Sequence, residues 1–225
     1  MDTLKPEVLE KLFFSTIEAW HENEESITTW EDTERHIQFP EDLGDNTFLK
    51  LLFYLQLINC YQWHEEDKSH RDDLSDKVLA EIKKNIDRSN QRRNDLVEYF
   101  DHQVMAWYGE LPKKAGPEAP LNSETPGSIL DRLTVLALKI NHLAARVDRA
   151  PRENGASRQA FPDSEDRKKL RILQEQWTDL MTCFQSLVED FQEGRKRMQV
   201  YFQYKIYGLS VMQNALFGRE GSGKF

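Results

Sequence analysis

Apolar residues recur at steps of three and four along most of the chain, which is the spacing of one face of an α-helix. The first such stretch covers residues 6–22, and its apolar side is formed by Leu9, Leu12, Phe13, Ile17 and Trp20. No stretch alternates apolar and polar residues as a half-buried β-strand does. The pattern therefore predicts an all-α protein, a bundle of about five main helices with a long C-terminal helix.

An acidic stretch separates the first helix from the second. Residues 23–45 are interrupted by proline and glycine and predict a loop. The second helix begins after Asp45 or Asn46 and is apolar nearly all round, which is typical of the central helix in a bundle. The third helix is predicted from near Ser75 to about Tyr108, with a narrower apolar stripe.

The last two helices have clear start and packing signals. Thr125 fits the N-cap of the fourth helix, and Pro126 fits its first helical position. The fifth helix carries a seam of alternating three- and four-residue steps, as coiled coils do, formed by Leu170, Leu173, Trp177, Leu180, Phe184, Leu187 and Phe191. Because the apolar spacing continues past Gly194, this helix is expected to reach Gly208.

The composition limits the class of protein. The chain has 225 residues with a formal net charge of -9, which argues against a nucleic-acid binder that neutralises phosphates. Residues 1–217 are expected to form a single domain, and residues 218–225 a flexible tail. No apolar run approaches the roughly 20 residues of a membrane-spanning helix.

The two cysteines and the N-terminus predict a cytoplasmic protein. Cys60 and Cys183 both lie in apolar helical contexts, where we expect free buried thiols; a single disulfide is the alternative. The N-terminus has acids where a signal peptide needs a basic start.

Polar residues interrupt the apolar stripe of the third helix. Asn90 and Arg93 stand where leucine or isoleucine is expected, and Asp87, Gln91 and Asn94 are their neighbours at helical spacing. Buried amides and charges cost several kcal/mol, on the order of 2–7, unless they are paired. Partners on neighbouring helices are therefore expected.

Two other helices carry polar residues that suit this role. His64 and Asp67 follow the apolar part of the second helix. The fourth helix carries Ser128, Asp131, Arg132, Lys139 and His142. We expect His64 and Asp67 to face the polar residues of the third helix, with Asp131 and Arg132 closing the pocket. The alternatives are solvated helix faces and a polar core that only sets helix register.

Three motifs, "WHEED", "IDRSNQRRND" and "TPGSILDRLTVLALKI", resemble those of a bacterial family known as a domain of unknown function, number 4254 in its series. The resemblance spans roughly residues 51–143. It assigns to the three motifs, in order, Trp63, His64, Glu66 and Asp67; Asp87, Asn90, Gln91, Arg93, Asn94 and Asp95; and Thr125, Pro126, Gly127, Ser128, Asp131, Arg132, Lys139 and His142. Members are often encoded beside glycosyltransferases of surface-polysaccharide assembly, which implies a role in sugar or nucleotide-sugar metabolism.

These residue types favour a phosphorylated ligand with Mg²⁺. Glu66 and Asp67 are the expected metal ligands, and His64, Asp67 and Asp131 the expected catalytic residues. The ligand is expected to contact Asp87, Asn90, Arg93, Asn94, Arg132 and Lys139. The hypothesis is that the chain binds or processes a phosphorylated or nucleotide-linked sugar. If it is an enzyme, a Mg²⁺-dependent hydrolase or transferase of phosphate or pyrophosphate esters is expected.

Two further hypotheses stand beside this one. Glu18 and His21 have the Glu-x-x-His spacing of carboxylate-bridged metal pairs, but they lie outside the three motifs, and chance matches are common in an acidic chain. The seam of the last helix is expected either to pack inside the monomer or to pair with a second copy or a glycosyltransferase. In the latter case the protein is a non-catalytic scaffold.

Overall fold

The computed structural model describes residues 1, 4–149 and 165–200. Its helices are α1 (Pro6–Asn23), α2 (Trp30–His36), α3 (Thr47–Ser69), α4 (Asp76–Glu110), α5 (Pro126–Arg149) and α6 (Glu165–Gln192). Single 3₁₀ turns follow α1 at Glu24–Ser26 and precede α3 at Glu41–Leu43. Within the described ranges there is no β-strand, so the all-α prediction is confirmed.

Helix α3 lies at the centre of the bundle and packs against α1, α4 and α5. Leu52, Leu55 and Leu57 point to different sides of α3, and all are buried. Contact with three neighbouring helices is the physical reason for the nearly continuous apolar surface of this helix. The predicted central position is confirmed.

The start of α5 is capped from two directions. Thr125 Oγ accepts a hydrogen bond from the backbone N–H of Ser128 at 3.2 Å, which confirms the predicted N-cap. The buried carboxylate of Asp101, on α4, accepts the backbone N–H of Gly127 at 2.7 Å. A Cβ at position 127 would lie only 2.8 Å from Asp101 Oδ1, so this close approach requires glycine.

The prediction that residues 23–45 form a loop throughout is wrong at Trp30–His36, which is helix α2. Thr29 and Asp32 start this helix with reciprocal side-chain-to-backbone hydrogen bonds, a capping box with aspartate in the third helical position. Hydrogen bonds from Thr28 and Thr29 lower the pKa of Asp32 to about 2.

The prediction that the last helix continues through Gly194 is also wrong. Helix α6 ends at Gln192, and Gly194 has a φ of +64°. The N–H groups of Gly194 and Arg195 bond to the carbonyls of Phe191 and Asp190, at 3.1 and 2.8 Å, which is a Schellman ending. Residues 201–208 of the predicted extension and the predicted tail lie outside the described residues.

The seam of α6 packs inside the chain over its second half, where Phe184, Leu187 and Phe191 are buried. Trp177 lies against Phe13 of α1, with ring centroids 6.2 Å apart. These contacts agree with the expectation of intramolecular packing for this part of the seam. Every helix in the described ranges is too short or too polar to cross a lipid bilayer.

Both cysteines are free thiols, so the disulfide alternative is excluded. Cys60 is buried, and burial raises the pKa of its thiol to about 12. Cys183 is exposed, which corrects the expectation that both thiols are buried.

Candidate functional site

A polar network connects α3, α4 and α5. Arg93 donates two hydrogen bonds to the Asp131 carboxylate, at 2.9 and 2.8 Å. Asn59 donates to Asp131 at 3.2 Å and to Thr134 Oγ at 2.8 Å. The polar interruption of the third helix is therefore satisfied by side chains of both neighbouring helices, as a buried charge requires.

A second set of polar contacts joins α3 to α4. Gln62 donates a hydrogen bond to Asn90 Oδ1 at 3.0 Å. The Glu65 carboxylate is buried, and it accepts hydrogen bonds from Lys68 at 2.7 Å and Asn85 at 2.9 Å. Glu65 therefore contributes to the packing of α3 against α4. The next two acids, Glu66 and Asp67, are the exposed carboxylates at this end of α3.

Beside this network lies a cavity of about 370 Å³. We call it the Trp63 cleft; its lining residues are Asn59, Gln62, Trp63, Glu66, Asp67, His70, Arg93, Val135 and Leu138. The structure thus brings four of the predicted site residues to one place. Glu66, Asp67 and Arg93 line the cleft, and Asp131 holds Arg93 in position.

Other predicted site residues lie elsewhere. The placement of Asp87 in the cluster is wrong, because its exposed carboxylate pairs with Lys83 at 2.7 Å. The placement of Arg132 is wrong for the same reason: it is exposed and pairs with Glu124 at 2.8 Å. Both side chains lie on helix faces that point to solvent, where their charges have partners on the surface. Asn94 is half-buried and Lys139 is exposed, and neither lines the Trp63 cleft.

His64 faces away from the Trp63 cleft, contrary to the prediction that it faces the polar residues of the third helix. It lines a neighbouring cavity of about 410 Å³. We call this the histidine cleft; it is lined by His21, Glu24, His64, Asp67, Lys68, Arg71, His142 and Arg149. Asp67 lines both clefts. Only one side of an α-helix can face a given neighbour, which separates His64 from Arg93.

The histidine cleft brings together one imidazole from each of α1, α3 and α5. The ring centroids of His21 lie 5.6 Å from His64 and 5.0 Å from His142, and those of His64 and His142 are 5.8 Å apart. Trp20 stacks on His64 at 5.3 Å, and Trp63 stacks on His142 at 4.9 Å. An indole therefore stacks on each of two of the three imidazoles, His64 and His142.

Hydrogen bonds orient two of these rings. His64 Nδ1 lies 3.1 Å from a carboxylate oxygen of Glu24, and His142 Nδ1 lies 2.9 Å from the carbonyl oxygen of Leu138. Burial lowers the pKa of His64, against the opposing charge of Glu24. Burial and the neighbouring His142 also lower the pKa of His21. At neutral pH both rings are neutral, because an ordinary histidine titrates near 6.5.

Sequence reasoning missed Glu24, and it set His21 aside as a chance Glu-x-x-His match. His21 directly follows the buried Trp20 at the end of α1, which places it near α3 and α5. Glu24 lies in the 3₁₀ turn after that helix. The sequence does place His21 at the edge of the apolar face of the first helix. The spacing of residues within one helix, however, does not show which residues of other helices lie beside it.

Comparison with known proteins identifies a family. The family model described as "Protein of unknown function (DUF4254)" matches residues 49–200. No curated protein and no solved structure matches the chain. The matched range contains the whole Trp63 cleft and two of the clustered histidines, while His21 and Glu24 precede it.

Proposed function

The chain belongs to the DUF4254 family, and on that premise we propose that it binds a phosphorylated or nucleotide-linked sugar in the Trp63 cleft. The observation that carries the proposal is the meeting, in one cavity of about 370 Å³, of an indole, a fixed arginine and two exposed carboxylates. This volume falls within the roughly 300–1,000 Å³ typical of small-molecule sites.

The inner wall of the cleft suits a sugar or a base. Trp63 offers apolar ring surface. Neither its indole N–H nor the side-chain amide oxygen of Gln62 (Oε1) has a hydrogen-bond partner among the described residues. A hydroxyl group both donates and accepts, so a sugar hydroxyl can pair with such a donor and acceptor. Unpaired buried groups of this kind cost about 1–3 kcal/mol each, which a ligand would recover.

The mouth of the cleft suits a phosphate with Mg²⁺. Glu66 and Asp67 are exposed carboxylates on consecutive residues near the end of α3, and oxygen ligands of this type hold Mg²⁺ together with substrate phosphates. In this proposal Asp131 positions Arg93 by two hydrogen bonds rather than exchanging protons. His70, at the end of α3, adds a further ring at the same mouth.

Thermal unfolding tests the proposal. The protein is heated with nucleotide sugars, sugar phosphates and nucleoside diphosphates, each with and without Mg²⁺. A ligand at about 100 times its Kd stabilises the folded state by about 2.7 kcal/mol, which raises Tm by roughly 5–10 °C in a domain of this size. We expect a Mg²⁺-dependent rise for at least one sugar phosphate or nucleotide sugar.

Glu66→Gln and Asp87→Asn are the matched pair for this experiment. Both replace an exposed carboxylate by its amide, but only Glu66 lines the Trp63 cleft. The Tm rise should disappear in Glu66→Gln and remain in Asp87→Asn. No rise across the panel, or equal rises in both variants, would contradict the proposal. That result would favour the non-catalytic scaffold, and a search for a protein partner would follow.

Enzymatic activity is tested once a ligand is known. A ligand that passes this test should next be assayed for release of phosphate or nucleotide, since a hydrolase or transferase of phosphate esters is the proposed reaction class.

We further propose that the protein is cytoplasmic. Its two free thiols support this proposal.

A further inference from the structure

We propose that His21, His64 and His142 form a binding site for one divalent transition-metal ion of the zinc type. Each residue offers one ring nitrogen, and these three atoms lie within 4.8 Å of one another. The ligands come from three different helices, so the bundle itself brings them together. The three histidines are different residues from Glu66 and Asp67, the proposed Mg²⁺ ligands, although Asp67 lines both clefts.

The hydrogen bonds of His64 and His142 use Nδ1 of each ring and leave Nε2 available to bind a metal ion. The carboxylate of Glu24 and the carbonyl of Leu138 can only accept, so Nδ1 carries the proton in both His64 and His142. Nε2 of each ring then has a free lone pair. Metal-binding histidines characteristically donate their other N–H to a carboxylate or a backbone carbonyl in this way.

Nε2 of His64 provides an independent observation. It is buried, and it has no hydrogen-bond partner among the residues that the structure describes. A buried acceptor without a partner costs about 1–3 kcal/mol. A metal ion coordinated by this nitrogen would remove that cost, whereas simple packing of the three rings leaves it in place.

The donor set selects the class of metal. Neutral imidazoles suit zinc, copper, nickel and cobalt, whereas Mg²⁺ and Ca²⁺ prefer oxygen. Zinc–nitrogen bonds of about 2.0–2.1 Å place tetrahedral ligands about 3.4 Å apart, so the ring nitrogens, which lie within 4.8 Å of one another, must approach by at most about 1.4 Å when the ion binds. Rotation of the histidine side chains can supply this, because His21 is less buried than His64.

An ion held by three histidines would keep one coordination position, and the three rings line the histidine cleft of about 410 Å³, from which an added ligand could occupy that position. Three protein ligands with an open position are the pattern of sites that bind water or an exogenous ligand. Asp67, Arg71 and Arg149 line the same cavity. An added anion can therefore approach a bound ion from this cleft.

Metal titration of the full chain without an affinity tag, after treatment with a chelator, tests the inference. Zn²⁺ binding is measured by calorimetry, and Co²⁺ is used as a visible probe because tetrahedral Co²⁺ absorbs strongly. We expect one ion per chain and the Co²⁺ spectrum of a four-coordinate site. Absence of binding, or the weak spectrum of six-coordinate Co²⁺, would overturn the proposal.

Variants locate the ion. His21→Gln and His64→Gln should each weaken Zn²⁺ binding by at least about 100-fold, and Glu24→Gln by roughly 10–100-fold, because it only orients His64. His36→Gln, which replaces an exposed histidine outside the cluster, should leave affinity unchanged. His21→Gln keeps the test decisive if His64→Gln does not fold. Unchanged affinity in His21→Gln and Glu24→Gln would overturn the assignment.

These titrations contain neither sugar nor Mg²⁺, so their result is independent of the proposed function. Failure to bind Zn²⁺ leaves the Glu66 test of the Trp63 cleft unaffected, and a negative sugar panel leaves the metal assignment unaffected. Asp67 is the one residue shared by the two clefts, and for that reason it is not substituted in either experiment.

Discussion

Arg93 and Asp131 are 38 residues apart in the chain, and their side chains meet through two hydrogen bonds of 2.9 and 2.8 Å. The pair joins α4 to α5 beside the Trp63 cleft, and both side chains are largely shielded from solvent, with 29% and 13% of their surfaces exposed. Arg93 thus stabilises the packing of α4 against α5 and also lines the proposed ligand site.

Removal of one partner of this pair should destabilise the protein. We expect Arg93→Ala to lose about 1.5–3 kcal/mol of unfolding free energy, because the Asp131 side chain then retains only the hydrogen bond from Asn59 within this network. Chemical denaturation of Arg93→Ala, Asp131→Ala and the double variant measures the coupling. The double variant should lose clearly less than the sum of the single losses.

Arg132→Ala is the control for this cycle. Arg132 follows Asp131 directly, but its ion pair with Glu124 is exposed, so its loss should change stability by no more than about 0.5 kcal/mol. Additive single losses, or an equal loss in Arg132→Ala, would show that the Arg93–Asp131 pair has no special role.

Asp101 should make stability depend on pH. Burial raises the pKa of its carboxyl from the ordinary 3.8 to about 6, although hydrogen bonds from Thr125 and Gly127 oppose this. The folded state therefore holds a proton that the unfolded chain has already released between about pH 4 and pH 6. Stability contributed by this group falls as pH rises through that window, by about 3 kcal/mol in total.

Asp101→Asn isolates this effect, because an amide oxygen can still accept the Gly127 N–H but does not titrate. The unfolding free energy of the wild type relative to the variant should fall by roughly 2–3 kcal/mol between pH 4 and pH 7. A constant difference across that range would mean that Asp101 ionises normally in the folded protein.

A side chain at Gly194 is expected to destabilise the protein. Its φ of +64° is unfavourable for other residues, and a Cβ would lie 3.0 Å from the carbonyl oxygen of Lys114. Gly194→Ala should lose about 1–2 kcal/mol. Gly109→Ala, within α4 and with no atom near the new methyl group, should instead gain about 0.5–1 kcal/mol. Thermal unfolding of both variants tests the opposite signs.

His64 should titrate below its ordinary pKa of 6.5 in the metal-free protein, since burial disfavours the charged ring. Because the unfolded chain takes up the proton first, the stability contributed by this group is lost as pH falls below about 6.5. Glu24→Gln should lower the pKa of His64 further, since Glu24 raises it. NMR titration of the ring resonances measures both; a pKa above 6.5, or one unchanged by Glu24→Gln, contradicts this account.

Much of the fold follows from local spacing alone. The five long helices, the central position of α3 and the Thr125 cap of α5 could be predicted, because apolar periodicity and capping depend on residues only a few positions apart. The helix α2 and the end of α6 were mispredicted. Helix α2 is short, and its main sequence signal is the capping box that begins at Thr29. Apolar residues continue at helical spacing beyond Gly194, although the positive φ of this glycine ends the helix.

Periodicity alone establishes that polar residues interrupt apolar helices and that they need partners, since an unpaired buried charge is too costly. Which partners they have depends on how the helices pack. The angle at which each helix packs directs Arg93 to Asp131, turns Asp87 and Arg132 to solvent, and moves His64 toward His21 and His142. Consecutive side chains on an α-helix point about 100° apart. Packing against the other helices sets how each helix is turned about its own axis, and therefore which of its side chains face a neighbour.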